Sequence, residues 1–280
     1  MPARCWQTIN QQQNMQNKNK YYRPQDGLKS HQDFVFGTRA VIEAVLAGKD
    51  IDKIFVRKNL ESDLFSELMT ALKGWDIPIQ RVPVEKLNRI TMKNHQGVIA
   101  LMSAVEFQKI EHVVPDLFEA GEMPFVVVLD GVTDVRNLGA IARTCDGAGV
   151  HAMVVPGSHT ASINADAVKT SAGALHSLPV CRSMNLRDAV LFLKNSGLRI
   201  VAASEKSDVR YTQENMTGPI AIVMGAEDTG VSPEILKLCD ATVSIPLFGK
   251  IASLNVSVAG GILLYEVVRQ RNEIIDGNTD

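Results

Sequence analysis

From residue 125 onward the apolar positions come in unbroken runs, and polar residues do not alternate with them. The runs FVVVLD, AMVVPG, RIVAAS, IAIVMG and TVSIP are separated by segments whose apolar residues recur three and four apart. These segments are LGAIARTCDGAG, ADAVKTSAGAL, LRDAVLFLKNSG, SPEILKLC and SLNVSVAGGILLYEVVRQRNEI. A strand apolar at every position is buried on both faces, and strands that alternate with helices run parallel. Residues 125–275 are therefore expected to form an α/β domain, a parallel sheet with helices on both faces, with ligands at the carboxyl ends of its strands. In the last helix Leu254, Val256, Val258, Ala259, Ile262, Leu263, Leu264, Val267 and Val268 cover nearly the whole circumference, which predicts a helix buried on all sides.

Residues 34–107 alternate differently. TRAVIEAVLAG reads as a helix closed by Gly48, IDKIFVRK as a strand, DLFSELMTALKGW as a helix, IPIQRV as an extended piece, VEKLNRI as a helix and GVIALMSAV as a strand. This predicts a smaller α/β domain. Residues 108–124, with Pro115, Gly121 and Pro124, read as a linker. Residues 1–33 are polar and poor in branched apolar residues, and residues 1–30 hold five Lys/Arg against one Asp; they read as a disordered basic tail, with Tyr21 and Tyr22 able to stack on bases.

Composition narrows the chemistry. A formal charge of -2 removes any global basic signature, so a nucleic-acid contact needs a local patch. Arg39, Lys53, Arg57, Lys58, Lys73, Arg81, Lys86, Arg89 and Lys93 supply one in the smaller domain. Cys5, Cys145, Cys181 and Cys239 lie far apart and the six histidines show no metal-ligand spacing, so no disulfide framework and no metal are expected. No long apolar segment free of charge is present, which reads as a cytoplasmic protein with no membrane partner.

The glycines Gly147 and Gly149 with Ala152 match a loose dinucleotide pattern, which would make a nicotinamide oxidoreductase. That pattern must follow a strand and open a helix, whereas GAGVHA follows a helix and precedes a strand. Three other segments place polar residues just past strand ends. In VLDGVTDVRNLGAIARTCDGAG, Asn137 and Arg143 are six residues apart, so both serve one site only if Asn137 stands at the helix cap. Arg143 could instead pair with Asp146 or another acid. IVMGAEDTGVS offers Glu227 between Gly225 and Gly230, and IPLFGKIASLNVSVAGGI puts Ser253 and Asn255 at the mouth of the apolar helix. Capping by Ser253 leaves Asn255 over, and a polar ligand would use both.

These segments resemble the three signature motifs of the SpoU (TrmH-type) family of RNA ribose 2'-O-methyltransferases, in the same order. NLGAIAR resembles the first, GAEDTG the second and IPLFGKIASLNVSVAGGI the third, with Leu247 where Met is more common. FGTRAVIEAVLAG and NHQGVIAL resemble the small RNA substrate-binding domain of the RlmB-like branch, so the likeness covers roughly residues 34–271. The resemblance implies S-adenosylmethionine as cofactor, a deep trefoil knot in the C-terminal domain and a homodimer. It implies an active site of Asn137, Arg143, Glu227, Ser253 and Asn255, with Gly225, Ile245 and Leu254 lining the adenosyl pocket. It implies a guanosine of 23S ribosomal RNA as substrate, with a transfer-RNA guanosine as the alternative. A guanidinium stays protonated in proteins, so Arg143 is expected to hold a phosphate and stabilise the developing alkoxide; the proton acceptor is left open. A non-catalytic RNA-binding or ribosome-assembly factor on the same scaffold is the reading from another class, and five intact site residues argue against it.

Overall fold

The computed structural model describes residues 34–277, so the expectations for the tail, Tyr21 and Tyr22 lie outside the described residues. The smaller region runs β1 (Phe34–Phe36), α1 (Thr38–Leu46), β2 (Ile51–Arg57), α2 (Asp63–Ala71), β3 (Ile79–Val82), α3 (Val84–Ile90) and β4 (Val98–Met102). Its four strands lie in the order β1-β4-β2-β3. β4 is antiparallel to both neighbours and β3 is parallel to β2. Alternate residues serve the two faces: Ile54, Val56 and Val98 meet α1 and α2, while Phe55 and Ile99 meet Leu87 of α3.

The NHQG segment closes this unit. Gln96 and Gly97 both have positive φ, and Gln96 Oε1 accepts from the free amide of Thr38 at the start of α1, at 3.1 Å. His95 Nδ1 accepts from the Gly97 amide at 2.9 Å, which leaves the ring proton on Nε2 for Asn88 Oδ1 at 3.0 Å. Gln96 and His95 thus hold backbone, and His95 also reaches α3.

The larger region runs β5 (Phe107–Gln108), α4 (Ile110–Glu119), β6 (Phe125–Asp130), α5 (Val135–Gly147), β7 (Ala152–Pro156), α6 (Ala165–Thr170), β8 (Val180–Ser183), α7 (Leu186–Asn195), β9 (Arg199–Ala203), β10 (Ile220–Gly225), α8 (Pro233–Leu236), β11 (Ala241–Val243) and α9 (Val256–Gly277). Its seven strands are ordered β11-β9-β10-β6-β7-β8-β5, and every pairing is parallel. Val127, Leu129, Ile222 and Met224 point to the layer of α5 and α9, and Val126, Val128, Ala221 and Val223 to that of α4, α7 and α8. Burial on both faces is why these strands read as continuous apolar runs.

Four expectations change. Residues 108–124 are no linker: β5 joins the sheet edge and α4 buries Ile110 and Val114, which stand one turn apart on one face, despite Pro115 inside the helix. β8 was not foreseen, because only Val180 and Cys181 are buried before Arg182 interrupts the run. ADAVKTSAGAL forms a short helix and a separate 3₁₀ turn, broken where Ala172 and Gly173 take positive φ. α9 is not buried all round: Val258 is 52% and Tyr265 53% exposed, so its core face is Leu263, Leu264 and Val267.

Candidate active site

Strand order reverses between β6 and β10: β7 and β8 follow β6 outward on one side, while β10, β9 and β11 lie on the other. The carboxyl ends of the central strands meet there, the place where an open parallel sheet leaves a crevice. Asp130 ends β6 opposite Gly225 of β10, and its Oδ2 accepts from the Ser232 amide at 2.7 Å, tying down the loop that follows β10. Asp134 caps α5, accepting from the amides of Arg136 at 2.8 Å and Asn137 at 2.9 Å. Asn137 is therefore in the first turn and is not the cap, and its side chain is free to reach across.

It reaches Glu227. Asn137 Nδ2 donates to Glu227 Oε1 at 2.7 Å. Asn255 Nδ2 donates to the same oxygen at 2.9 Å and to Asn137 Oδ1 at 3.1 Å. Asn255 is itself the cap of α9, its Oδ1 accepting from the amide of Ser257 at 2.9 Å and its hydroxyl at 2.6 Å. The expected division is thus reversed: Asn255 caps, and Ser253 lies before the helix with no hydrogen-bond partner among the described residues. Glu227 Oε2 likewise has no partner among the described residues.

Beside this cluster lies a half-open cavity of about 290 Å³, lined by Gly225, Glu227, Ile245, Leu247, Ser253 and Leu254 among others. A Cβ on Gly225 would fall 2.0 Å from the carbonyl carbon of Gly230, because residues 226–230 fold back over the strand end through reciprocal Ala226 and Gly230 backbone bonds. The opposite wall is the backbone of residues 245–254, which makes no hydrogen bond among the described residues. Such a wall, with apolar Ile245, Leu247 and Leu254, suits a flat ring with polar edges, and the adenine of S-adenosylmethionine is one.

Arg143 stands apart. It is exposed on α5, about 9 Å further along the axis than Asn137, and does not line the cavity. Neither Asp146 nor any other described acid pairs with it. GAGVHA forms the turn between α5 and β7, with Gly149 at positive φ, and opens no helix.

A sequence model of the SpoU rRNA Methylase family matches residues 124–265, and one described as RNA 2'-O ribose methyltransferase substrate binding matches residues 34–108. The chain belongs to the SpoU rRNA methylase family. The 23S rRNA (guanosine-2'-O-)-methyltransferase RlmB of Escherichia coli is 39% identical to this SpoU chain, over 86% of it and 99% of that protein. YacO of Bacillus subtilis, assigned to the TrmH family of tRNA/rRNA methyltransferases, is 34% identical over 88% and 99%. The SpoU methyltransferase AviRb of Streptomyces viridochromogenes, solved in complex with AdoMet, is 26% identical with a TM-score of 0.54, covering 86% of this chain and 90% of that one. The chain is accordingly an S-adenosylmethionine-dependent RNA ribose 2'-O-methyltransferase.

The structure brings together Asn137, Glu227 and Asn255 by hydrogen bonds, and Gly225, Glu227, Ile245, Ser253 and Leu254 around one cavity; it leaves Arg143 outside both. Asp130 and Asp134 were not singled out from the sequence, though an Asp ahead of a helix is a readable cap signal. Other nucleophiles are weak here: burial pushes the thiols of Cys181 up to about 12 and Cys239 up to about 11, and Cys145 higher still. Among the described residues no group of His, Cys, Asp and Glu is arranged to hold a metal ion, and no helix is long and apolar enough to cross a membrane.

Proposed function

We propose that this enzyme methylates the ribose 2'-hydroxyl of a guanosine in 23S ribosomal RNA, in the cytoplasm, as a homodimer. The observation that carries the site assignment is the Asn137–Glu227–Asn255 cluster at the rim of a cavity walled by unpaired backbone. The 39% identity to RlmB over nearly all of that protein supports the choice of RNA.

S-adenosylmethionine supplies an electrophilic methyl on a sulfonium sulfur, which the ribose oxygen takes as the methyl–sulfur bond breaks. The chain has to align the hydroxyl and receive its proton. In this reading Gly225, Ile245 and Leu254 hold the adenosyl part. Asn137, Ser253 and Asn255 orient the ribose, and Asn255 can do so rigidly because its Oδ1 is locked by the helix it caps. Glu227, with Oε1 held by two amides and Oε2 free, is the cluster's proton acceptor. Arg143, permanently charged, holds the RNA phosphate.

Arg143 comes to the cluster through the dimer. It stands one turn before Gly147, whose carbonyl accepts from Tyr265 at 3.4 Å, so it borders the exposed stripe of α9. Val258 and Tyr265 there, and Ile251 and Phe248 in the preceding loop, are exposed apolar side chains that a second copy would bury. The trefoil knot is supported by the chain's return: β11 is the edge strand, yet α9 packs on β10, with Gly260 against Met224. The test is transfer of labelled methyl to total RNA from a strain lacking the protein, followed by sizing and nucleoside digestion. Label as 2'-O-methylguanosine in large ribosomal RNA is expected; label in transfer RNA overturns the substrate, and no label overturns the site.

A further inference from the structure

The two regions meet at Arg182, a residue the methyl-transfer site does not use. It stands on β8 with its guanidinium 4.0 Å over the Phe107 ring. Its Nη1 donates to the carbonyls of Ile51 at 2.8 Å and Asp52 at 2.9 Å, both at the start of β2 in the smaller domain. Those carbonyls are available because β2 is irregular there: Ile51 pairs with Met102 and Lys53 with Leu101, so Asp52 is an extra residue with no partner in the ladder. Such a bulge bends its strand and re-aims the groups it leaves unpaired. Asp52 is also buried, and its Oδ2 has no hydrogen-bond partner beyond the ion pair with Lys53 at 3.5 Å. Burial depresses the basicity of Arg182, and Asp52, Asp76 and Asp50 oppose that. Around these groups a cavity of about 320 Å³ separates the two domains, walled by Trp75, Asp76 and Lys109 as well. Arg182 shares the joint with two other polar contacts, the ion pair of Lys109 with Asp76 at 3.7 Å and the bond from the Ala104 amide to the Ile163 carbonyl at 3.0 Å, and among the described residues it alone combines a ring stack with bonds to two carbonyls of β2. A planar guanidinium stacked on a ring, with Nη1 shared between two carbonyls, fixes direction in a way an apolar patch does not.

We propose that Arg182 is the joint that sets the orientation of the substrate-binding domain toward the methyl-transfer cavity, so that an RNA gripped by both arrives in register. It is a positioning residue, and its kinetic consequence rests on the methyltransferase reading above. The variant Arg182→Met keeps the apolar stem over Phe107 and removes the donors. In the full-length protein it is expected to enlarge the radius of gyration in small-angle scattering and to raise KM for ribosomal RNA roughly tenfold. Its kcat and its affinity for S-adenosylmethionine stay within about twofold. Arg182→Lys, a cation without the planar stack, falls between the two, and its split between KM and kcat decides the matter if Arg182→Met folds poorly. Unchanged scattering with unchanged KM overturns the joint. Equal losses in kcat, KM and cofactor affinity also overturn it, because they make Arg182 part of the general fold. Wild-type protein that methylates no RNA sinks the methyltransferase reading instead, and scattering alone then decides the joint.

Discussion

In the NHQG turn of the smaller domain the polar side chains of His95 and Gln96 are consumed by the fold, whereas those of the motifs in the larger domain are left partly unspent. Gln96 and His95 each satisfy a backbone amide, and Gly97 takes a positive φ where a Cβ would press on Arg57 at 3.2 Å. At the carboxyl edge of the seven-stranded sheet, Asn137, Glu227 and Asn255 satisfy mainly one another, and they do so at the surface. Exposed polar groups that order one another contribute little to stability, so their arrangement is better explained by what they hold. A motif residue is assigned by following its hydrogen bonds: those of His95 and Gln96 end in backbone and in α3, whereas Glu227 and the amide nitrogen of Asn255 bond other side chains at the rim of a cavity.

The contrast can be broken most sharply at Arg143. It is exposed and unpaired among the described residues, so Arg143→Ala should leave the fold and cofactor binding intact while lowering methyl transfer by about a thousandfold or more, as measured by labelled methyl incorporation. Near-normal turnover would return it to the ordinary surface. At Gly225 fold and site coincide: Gly225→Ala drives a Cβ into the backbone of Gly230 and Val231. It should cost about 1–3 kcal/mol in denaturant unfolding and also abolish S-adenosylmethionine binding in calorimetry. On the other side of the contrast, Gln96→Ala should cost about 1 kcal/mol through the lost cap of α1 and leave cofactor affinity unchanged.

The smallest effect concerns pH. Glu266 is buried on α9, and the hydrogen bond from Arg269 holds its carboxyl below the ordinary value of 4.5. A depressed carboxylate contributes stability above its unfolded pKa and loses it as pH falls through the folded value. Glu266→Gln should therefore be less stable than wild type at neutral pH, with the difference shrinking as pH falls below 4.5. A difference that holds constant down to acid would show that packing, and not charge, is what Glu266 contributes.

The parallel sheet was legible because FVVVLD and IAIVMG are buried on both faces, a demand that composition records directly. β8 was not, because Arg182 finds its partners in Phe107 and in β2, far away in sequence. α4 was hidden by Pro115 and Gly121, breakers that mask the Ile110 and Val114 pair one turn apart. The residues that meet at the cavity could be named from their motifs, but the division of labour between Ser253 and Asn255 could not. Which one caps depends on where α9 starts, and that is set by packing of Val256 into the core. The exposed face of α9 was illegible for a related reason, since an apolar residue left at the surface looks the same in sequence as one buried in the core.

The most direct test of the claim that this cluster performs methyl transfer is the single-turnover rate of Glu227→Ala with S-adenosylmethionine bound and ribosomal RNA in excess. Because Glu227 is exposed and its bonds run to other site residues, the melting temperature should be unchanged and the rate should fall by about a hundredfold or more. A rate within a few fold of wild type would contradict the account and move the chemistry away from the carboxyl edge of this sheet.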